Sequence, residues 1–536
     1  MSHAPGSHPL FTVAQLRDIE REAKVGLAPG TLMQRAGAVA TDLALSILGT
    51  PTPQGAPVLV LAGPGDNGGD ALHVAARLAA TGCMVEIIVV GGTPSADAQQ
   101  ALAHARAGTA SMHSSDEGGL LSRIASVAWR LAVDGLFGIG LARPISGRLR
   151  ELVEAVNRLP CPVLALDVPS GLDADTGTVV GPDGVAVCAT HTISFIGDKP
   201  GLHTAAGCDC AGTVSIATLE IEDSVFVSAL ARTSPNPGGD TPLAQLGAVS
   251  LFAHALQPRR NDSHKGSFGD VKILGGATGM AGAVILAARS AAYCGAGRVF
   301  AGFLDDPISH DSLHPELMCR LAANLDLRSG CLVVGPGLGQ SRAAHDLLAA
   351  ALAAPAALVL DADALNLIAQ EAGLANKLRE RAAHADRYHE AIITPHPLEA
   401  ARLLSVTVAS VQSNRLQAAQ QLAARFKAVT VLKGAGTVIA SPDGRVVINP
   451  TGNPGLATGG TGDVLAGLCG ALLAQSWEAW EAALGATWIH GAAADMLVAA
   501  GVGPIGLTAS ELPAALRKVL NQLIHEHAHS PSDAAH

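Results

Sequence analysis

The sequence predicts an α/β protein built from two doubly wound domains, each a sheet covered by helices on both faces. Three observations carry this. Apolar runs of four to seven residues recur along the chain between alanine-rich helical stretches, and strands apolar on both faces indicate parallel sheets buried between helices. The series stops after about Phe226 and resumes near Asp270, with the Pro/Gly-rich stretch TSPNPGGDTP (233–242) in between. The 536 residues also exceed what one ordinary core encloses.

In chain order, Thr12 and Gln15 form a capping box ahead of an amphipathic run to about Lys24. Strands follow at 57–62, 84–90, 129–134, 162–167, 190–196 and near 213–219, with a helix over ALHVAARLAATG (71–82) after the first. This is the first domain, 1–226, a Rossmann-like three-layer sandwich; residues 227–250 form a linker. The second domain, 251–526, carries VKIL (271–274), GRVFAGF (297–303), CLVV (331–334), ALVLD (357–361), AIIT (391–394) and AVTVL (428–432). GTVIA and RVVIN flank the turn SPDG (441–444) as a hairpin. The tail 527–536, HAHSPSDAAH at its end, reads as disordered.

Composition narrows the class. Hydrophobic residues make up 49%, aromatics 3%, and there are 60 glycines, which suits packed α/β domains and not a disordered chain. The net charge is −11 and no dense Lys/Arg block occurs, so nucleic acid is not expected as a partner. The nine cysteines include no CxxC pair, Cys208 and Cys210 being the one close couple; reduced thiols in a cytoplasmic protein are expected. LLAAALAAPAALVL (347–360) is too short to span a bilayer, and MSHAPGSHPLF lacks the basic and apolar regions of an export signal. No membrane association is expected.

The chemistry should sit just after the strands, where open α/β sheets bind ligands. In the first domain these segments are GPGDNGGDA (63–71), DGLFGIGLARP (134–144) and DVPSGLDADTG (167–177). Gly63, Gly65 and Gly68 fit a dinucleotide fingerprint. Asp66 and Asp70 would repel a diphosphate, however, and the next strand ends in Gly91-Gly92 where an acid should grip a ribose. Asn67, Asp134, Asp167 and Ser170 offer oxygen ligands only, a set for a hard and weakly hydrated cation. Lys199, in GDKPG, reads as a surface lysine.

GPGDNGGDA, DGLFGIGLARP, DVPSG and TISFIGDKPGL (192–202) together resemble the NAD(P)H-hydrate epimerase family over most of residues 10–220. The resemblance implies a hydrate site lined by Asp66, Asn67, Gly68, Gly69 and Asp70, by Gly138, Ile139, Gly140, Leu141, Ala142, Arg143 and Pro144, and by Asp167. It also implies a potassium ion on Asn67, Asp134 and Ser170. The family has Asn where this chain has Asp66, and Gly where it has Ala71. Epimerisation requires the C6 hydroxyl to leave and return or the ring to open and reclose, and Asp167 can carry the proton.

The second domain's main signal is NPTGNPGLATGGTGDVLAGLCGALLA (449–474). The amides of Gly459, Gly460, Thr461 and Gly462 open a helix and form a nest for phosphoryl oxygens. Asp463 follows, placed to take a proton from an attacking hydroxyl. KGAGT (433–437) ends a strand with a lysine and a flexible backbone, without Walker spacing. SHKGSFGD (263–270), GGATGMAGA (275–283), GPGLG (335–339), LDADALN (360–366), TPHPLEA (394–400), KGAGT and NPGLATGGTGD resemble the NAD(P)H-hydrate dehydratase family, a branch of the ribokinase-like fold, over roughly 255–520. That implies Ala283, Gly337, His396 and Asp463 at the hydrate. It also implies Lys433, Gly434, Ala435, Gly436, Thr437 and Gly462 at an adenine nucleotide, with ADP as co-substrate and Mg2+ as cofactor. Leu398 stands where the family has Gly, no Asn-x-x-Glu motif appears at TPHPLE, and Glu399 is left to act on magnesium through water.

The two resemblances imply a bifunctional enzyme acting on NADH and NADPH hydrates, with Asp167 and Asp463 as catalytic residues; a homo-oligomer is expected. The alternative is a ribokinase-like small-alcohol kinase fused to a nucleotide-binding scaffold domain.

Overall fold

The structure, a computed structural model, describes residues 7–49, 55–92, 95–233, 244–384 and 390–528. The chain divides into two compact units, Pro9–Ala244 and a second that runs on from Gln245. Helix Asp223–Thr233 occupies the start of the expected linker, and a short strand, Ala244–Leu246, its far part. Residues 234–243 lie outside the described residues, as do 529–536 of the expected tail, whose first residues still belong to helix Leu512–Ala528.

In the first unit the strands are β1 (Pro57–Ala62), β2 (Met84–Val89), β3 (Ser111–Ser114), β4 (Leu131–Gly135), β5 (Val163–Leu166), β6 (His191–Phe195) and β7 (Thr213–Ala217). They form one parallel sheet in the order β3-β2-β1-β4-β5-β6-β7. Its two faces bury separate apolar clusters, one around Val58, Val60, Ala71, Val74 and Val133, the other around Leu59, Leu61, Ala132, Leu152 and Val153. Adjacent residues of β1 thus point to opposite helix layers, which is why the strand has to be apolar throughout. The Thr12–Gln15 capping box is present at helix Val13–Ala23. Edge strand β3, SMHS, was missed because a half-exposed polar strand has no apolar run to betray it.

The strand order reverses beside β1, so β1 and β4 diverge to their neighbours and open a crevice at their carboxyl ends. Helix Asp66–Ala80 starts in that crevice, five residues before the expected Ala71. What reads as a long glycine loop is therefore a three-residue turn, Gly63–Gly65, followed by helix. The turn is that tight because a Cβ at Gly63 would lie 1.7 Å from the Leu136 carbonyl oxygen, and one at Gly68 1.9 Å from that of Gly63.

In the second unit the strands are β8 (Ala244–Leu246), β9 (Asp270–Gly275), β10 (Arg298–Phe303), β11 (Met318–Leu321), β12 (Cys331–Val334), β13 (Ala357–Leu360), β14 (Ala391–Ile393), β15 (Val429–Leu432), β16 (Val438–Ala440) and β17 (Val446–Ile448). They run in the order β8-β17-β16-β15-β14-β13-β12-β9-β10-β11. Pairing is parallel except for β15 with β16 and β16 with β17, so the sheet is mixed, and the expected hairpin accounts for its antiparallel part. Helices Ala281–Tyr293, Thr461–Ala474 and Ala479–Ala499 cover one face around Val271, Val284, Val333, Leu468 and Ile489. Helix Ala479–Ala499 is long and apolar enough to cross a membrane by length and composition, but most of it is buried within this unit.

Candidate functional sites

At the carboxyl edge of the first sheet a cavity of about 960 Å³ opens. Its wall includes Asp66, Asn67 and Asp70 from the helix start, the loop 138–143 after β4, and Asp167 after β5. Asp167 adopts a left-handed backbone, φ 67°, a conformation costly for a residue with a side chain and common at functional sites. Its Oδ1 accepts hydrogen bonds from the Lys199 Nζ (2.8 Å) and from the Phe195 amide (3.3 Å). A side chain at Gly138 would begin 3.3 Å from Asp167 Oδ2 and 3.4 Å from the Asn67 Cβ. That glycine keeps the carboxylate and the amide side by side.

Lys199 corrects the expectation of a surface lysine. It is fully buried, and its Nζ also donates to Ser194 Oγ (2.6 Å) and to the carbonyls of Phe195 and Gly197 (3.3 Å each). The loop after β6 folds back under the cavity, and a charge buried there needs this full set of acceptors.

The oxygen set lies beneath the same wall. The carboxylate of Asp134, fully buried, accepts from the Ser170 amide (2.8 Å), the Ser170 hydroxyl (2.7 Å) and the Leu136 amide (3.2 Å). Burial raises its pKa above the usual carboxylate range, and the bonds from Ser170 and Leu136 pull it back down. Asn67 is buried, and among the described residues neither its amide nitrogen nor its oxygen has a hydrogen-bond partner. Such a group is costly unless something outside the protein satisfies it. Asp70 is buried within the helix, and burial first, then Asp167, Asp66 and Glu20, push its pKa well above the ordinary value. It can therefore stay neutral near Asp167.

Three expected lining residues do not line the cavity. Gly68 and Gly69 are buried against Gly63 and Met33, and Pro144 packs on Gly181. Asp66 is exposed at the helix start, where Ser95 Oγ donates to its Oδ1 (2.6 Å). Residues the sequence did not single out for the site, Arg17 and Glu20 of the first helix and Lys24 at its C-cap, also line the wall.

In the second unit, helix Thr461–Ala474 begins at Gly460, a left-handed N-cap with φ 92°. Asp463 stands in its first turn. A side chain at Gly462 would start 3.3 Å from Lys433 Nζ and 3.8 Å from Asp361 Oδ2, so the helix start rests on these two residues. Lys433 Nζ donates to Asp361 Oδ1 at 2.7 Å, and Thr394 Oγ1 donates to the same oxygen at 2.8 Å. The lysine after β15, the acid after β13 and the threonine after β14 come from three adjacent parallel strands, so the topology itself assembles them.

Burial raises the Asp463 pKa to about 6; Asp361 adds to the rise and Lys433 opposes it. Burial also pushes Glu399 up to about 7, against the pull of Lys433. Burial works against the charge on Lys433 too, but Asp361 and Glu399 outweigh it and hold the pKa above the usual lysine value. His396 caps helix Pro397–Leu404: its Nδ1 accepts from the amides of Leu398 (3.1 Å) and Glu399 (3.3 Å), and its Nε2 faces Glu399 Oε1 at 3.3 Å. Burial, then Lys433, lower its pKa, and with Nδ1 accepting from two amides the ring's N–H is on Nε2. Ala283 and Gly337 are neighbours, since a Gly337 side chain would begin 3.3 Å from the Ala283 Cβ. Asp363 ties this corner in by accepting from the Gly339 amide at 2.8 Å while adding to the rise at Asp463. Of KGAGT, Gly434 packs on the buried Arg415 guanidinium, and Thr437 Oγ1 donates back to the Gly434 carbonyl. Asp361, Asp363 and Thr394 were missed as individual residues although their loops were marked; their place at strand ends was the available signal.

Comparison with known proteins agrees with both halves. Residues 29–201 match the family model described as YjeF-related protein N-terminus, and 271–517 that described as NAD(P)H-hydrate dehydratase. The chain is 36% identical over 539 residues to the bifunctional NAD(P)H-hydrate repair enzyme Nnr of Escherichia coli, covering 98% of this chain and 96% of that one. It is 43% identical over 291 residues to the ADP-dependent (S)-NAD(P)H-hydrate dehydratase of Neisseria meningitidis serogroup B, covering 53% of this chain and 96% of that one. Among solved structures, the ADP/ATP-dependent NAD(P)H-hydrate dehydratase of Bacillus subtilis, co-crystallised with ATP/Mg2+, matches at 31% identity and a TM-score of 0.45, covering 52% of this chain and 97% of that one. With one such relative matched over nearly the full length of both chains, this chain belongs to the family of bifunctional NAD(P)H-hydrate repair enzymes.

Proposed function

We propose that each carboxyl-edge site carries one half of a single repair. The chain is a bifunctional NAD(P)H-hydrate epimerase and ADP-dependent NAD(P)H-hydrate dehydratase. The unit Pro9–Ala244 interconverts the R and S hydrates, and the unit from Gln245 on dehydrates the S form. The observation that carries the second assignment is the Asp463 carboxylate, its pKa raised to about 6, on a helix start seated over Lys433 and Asp361.

In the dehydratase, Asp463 takes the proton of the hydrate's 6-hydroxyl as that oxygen attacks the terminal phosphorus of ADP, and AMP leaves. The helix-start amides stabilise the transferred phosphoryl oxygens. The ring nitrogen then expels phosphate, and loss of a proton from the adjacent ring carbon restores the dihydronicotinamide. His396, its Nε2 turned to Glu399 Oε1, stands against the hydrate. Magnesium finds no ready cage, since no group of three His, Cys, Asp or Glu side chains is assembled among the described residues. It would be carried on the nucleotide phosphates, and no step is assigned to it.

In the epimerase, Asp167 carries the proton to and from the hydroxyl, held to one geometry by Lys199. Asn67 Oδ1, unsatisfied among the described residues, would hold a potassium ion together with oxygens of Asp134 and Ser170. Bound there, the ion would supply fixed positive charge to the site. The nine cysteines are all free thiols, which supports a cytoplasmic location.

The test is an assay with NADH hydrate as a mixture of R and S forms plus ADP. Recovery of the dihydronicotinamide absorbance beyond the S fraction, at a rate above spontaneous epimerisation, is expected. A stable phosphate ester as the end product, without NADH, would overturn the reading.

A further inference from the structure

The cavity of the first unit poses an electrostatic problem. Its wall carries five acids, Glu20, Asp66, Asp70, Asp97 and Asp167, and three cations, Arg17, Lys24 and Arg143. A hydrated dinucleotide brings a diphosphate with two negative charges. Even with Asp70 neutral, that ligand is repelled unless cations on the wall are free to meet it.

Lys24 is not free, since its Nζ pairs with Glu20 at 2.7 Å. Lys199 is spent below on Asp167. Arg17 and Arg143 differ: among the described residues neither guanidinium forms an ion pair or hydrogen bond within the protein. Both are exposed. Both line the same cavity, and Arg17 Nη2 lies 3.9 Å from where a side chain on Gly140 would begin, on the loop that carries Arg143. Arg17 projects from helix Val13–Ala23 over the loop that closes the other side of the cavity. Asp175, whose Oδ1 accepts from the Val13 amide at 2.7 Å, feels the Arg17 charge without bonding it.

We infer that Arg17, acting with Arg143, is the diphosphate clamp of the epimerase site and selects dinucleotide hydrates over phosphate-free ones. A guanidinium presents paired donors that match phosphate oxygens. Placed at the rim, the clamp also explains how so acidic a cavity admits a polyanion: the acids surround the hydrate end, and the free arginines take the phosphates. The inference rests on the epimerase reading above.

The experiment compares epimerisation of NADH hydrate with that of the hydrate of reduced nicotinamide riboside, which carries no phosphate, in wild type and Arg17→Gln. Arg17 is exposed, so the variant is expected to fold, checked by an unchanged melting profile. The variant should raise KM for NADH hydrate about 10- to 100-fold with kcat retained. It should leave kcat/KM for the riboside hydrate within about twofold of wild type, and flatten the salt dependence of KM for NADH hydrate. Arg17→Lys should recover part of the loss. Equal losses on both substrates, or no loss on either, would overturn the clamp. Wild type that epimerises neither hydrate would instead overturn the epimerase reading.

Discussion

Lys199 Nζ lies 2.8 Å from Asp167 Oδ1, a fully buried ammonium against a carboxylate on the cavity floor. The lysine orients the carboxylate and balances its charge while leaving Oδ2 toward Gly138 and the cavity. Removing one member of a buried pair strands the other. Lys199→Met is therefore expected to cost about 3–5 kcal/mol and to abolish epimerisation. Denaturant melts of the variant alongside R-hydrate consumption check both, and a variant as stable as wild type would contradict the pairing.

The dehydratase should have an acid limb set by Asp463. The carboxylate must be ionised to accept the hydroxyl proton, and burial has moved its pKa up to about 6. kcat/KM for the S hydrate should thus fall about tenfold per pH unit below that value and level off above it. Asp463→Asn should lose at least about 100-fold in kcat at every pH while the epimerase stays intact.

Lys433 pulls the Asp463 pKa down. Lys433→Met removes that pull and leaves Asp361 unpaired nearby, so the acid limb should move to higher pH in addition to weakening ADP binding. A pH profile at saturating ADP separates the two effects. A limb that stays in place would mean that Asp463 is not the group titrating.

Asn67 and Asp66 are neighbours with opposite expectations. Asn67→Ala should blunt the response of epimerase rate to potassium chloride, since the unsatisfied amide is removed. Asp66→Asn should leave that response unchanged, because Asp66 is exposed and bonded to Ser95 and an asparagine oxygen can keep that bond. Rates titrated with KCl against a choline chloride control distinguish them.

Gly68→Ala should destabilise the first unit by more than about 2 kcal/mol, because its Cβ would lie 1.9 Å from the Gly63 carbonyl oxygen. Chemical denaturation monitored by far-UV circular dichroism is the measurement.

Most of both sheets was legible because strands apolar on both faces announce themselves: Pro57–Ala62 and Cys331–Val334 fall where the runs fall. Strands Ser111–Ser114 and Met318–Leu321 stayed hidden, since part-exposed edge strands carry mixed residues. GPGDNGGDA was half legible. Its glycines marked a close backbone approach, but Asp66–Asp70 belong to the helix, a boundary set by contact with the Leu136 carbonyl and not by local propensity.

The sequence by itself determined the two α/β units and the loops that reach each carboxyl edge, because strand patterning and glycine turns are local properties. Tertiary structure alone decided which charges meet. It buried Lys199 under Asp167, seated Gly462 on Lys433 and Asp361, and left Arg17 and Arg143 without hydrogen-bond or ion-pair partners among the described residues. Those relations join residues from different strands and helices, and a charge acquires its role from the partner and the burial that the fold supplies.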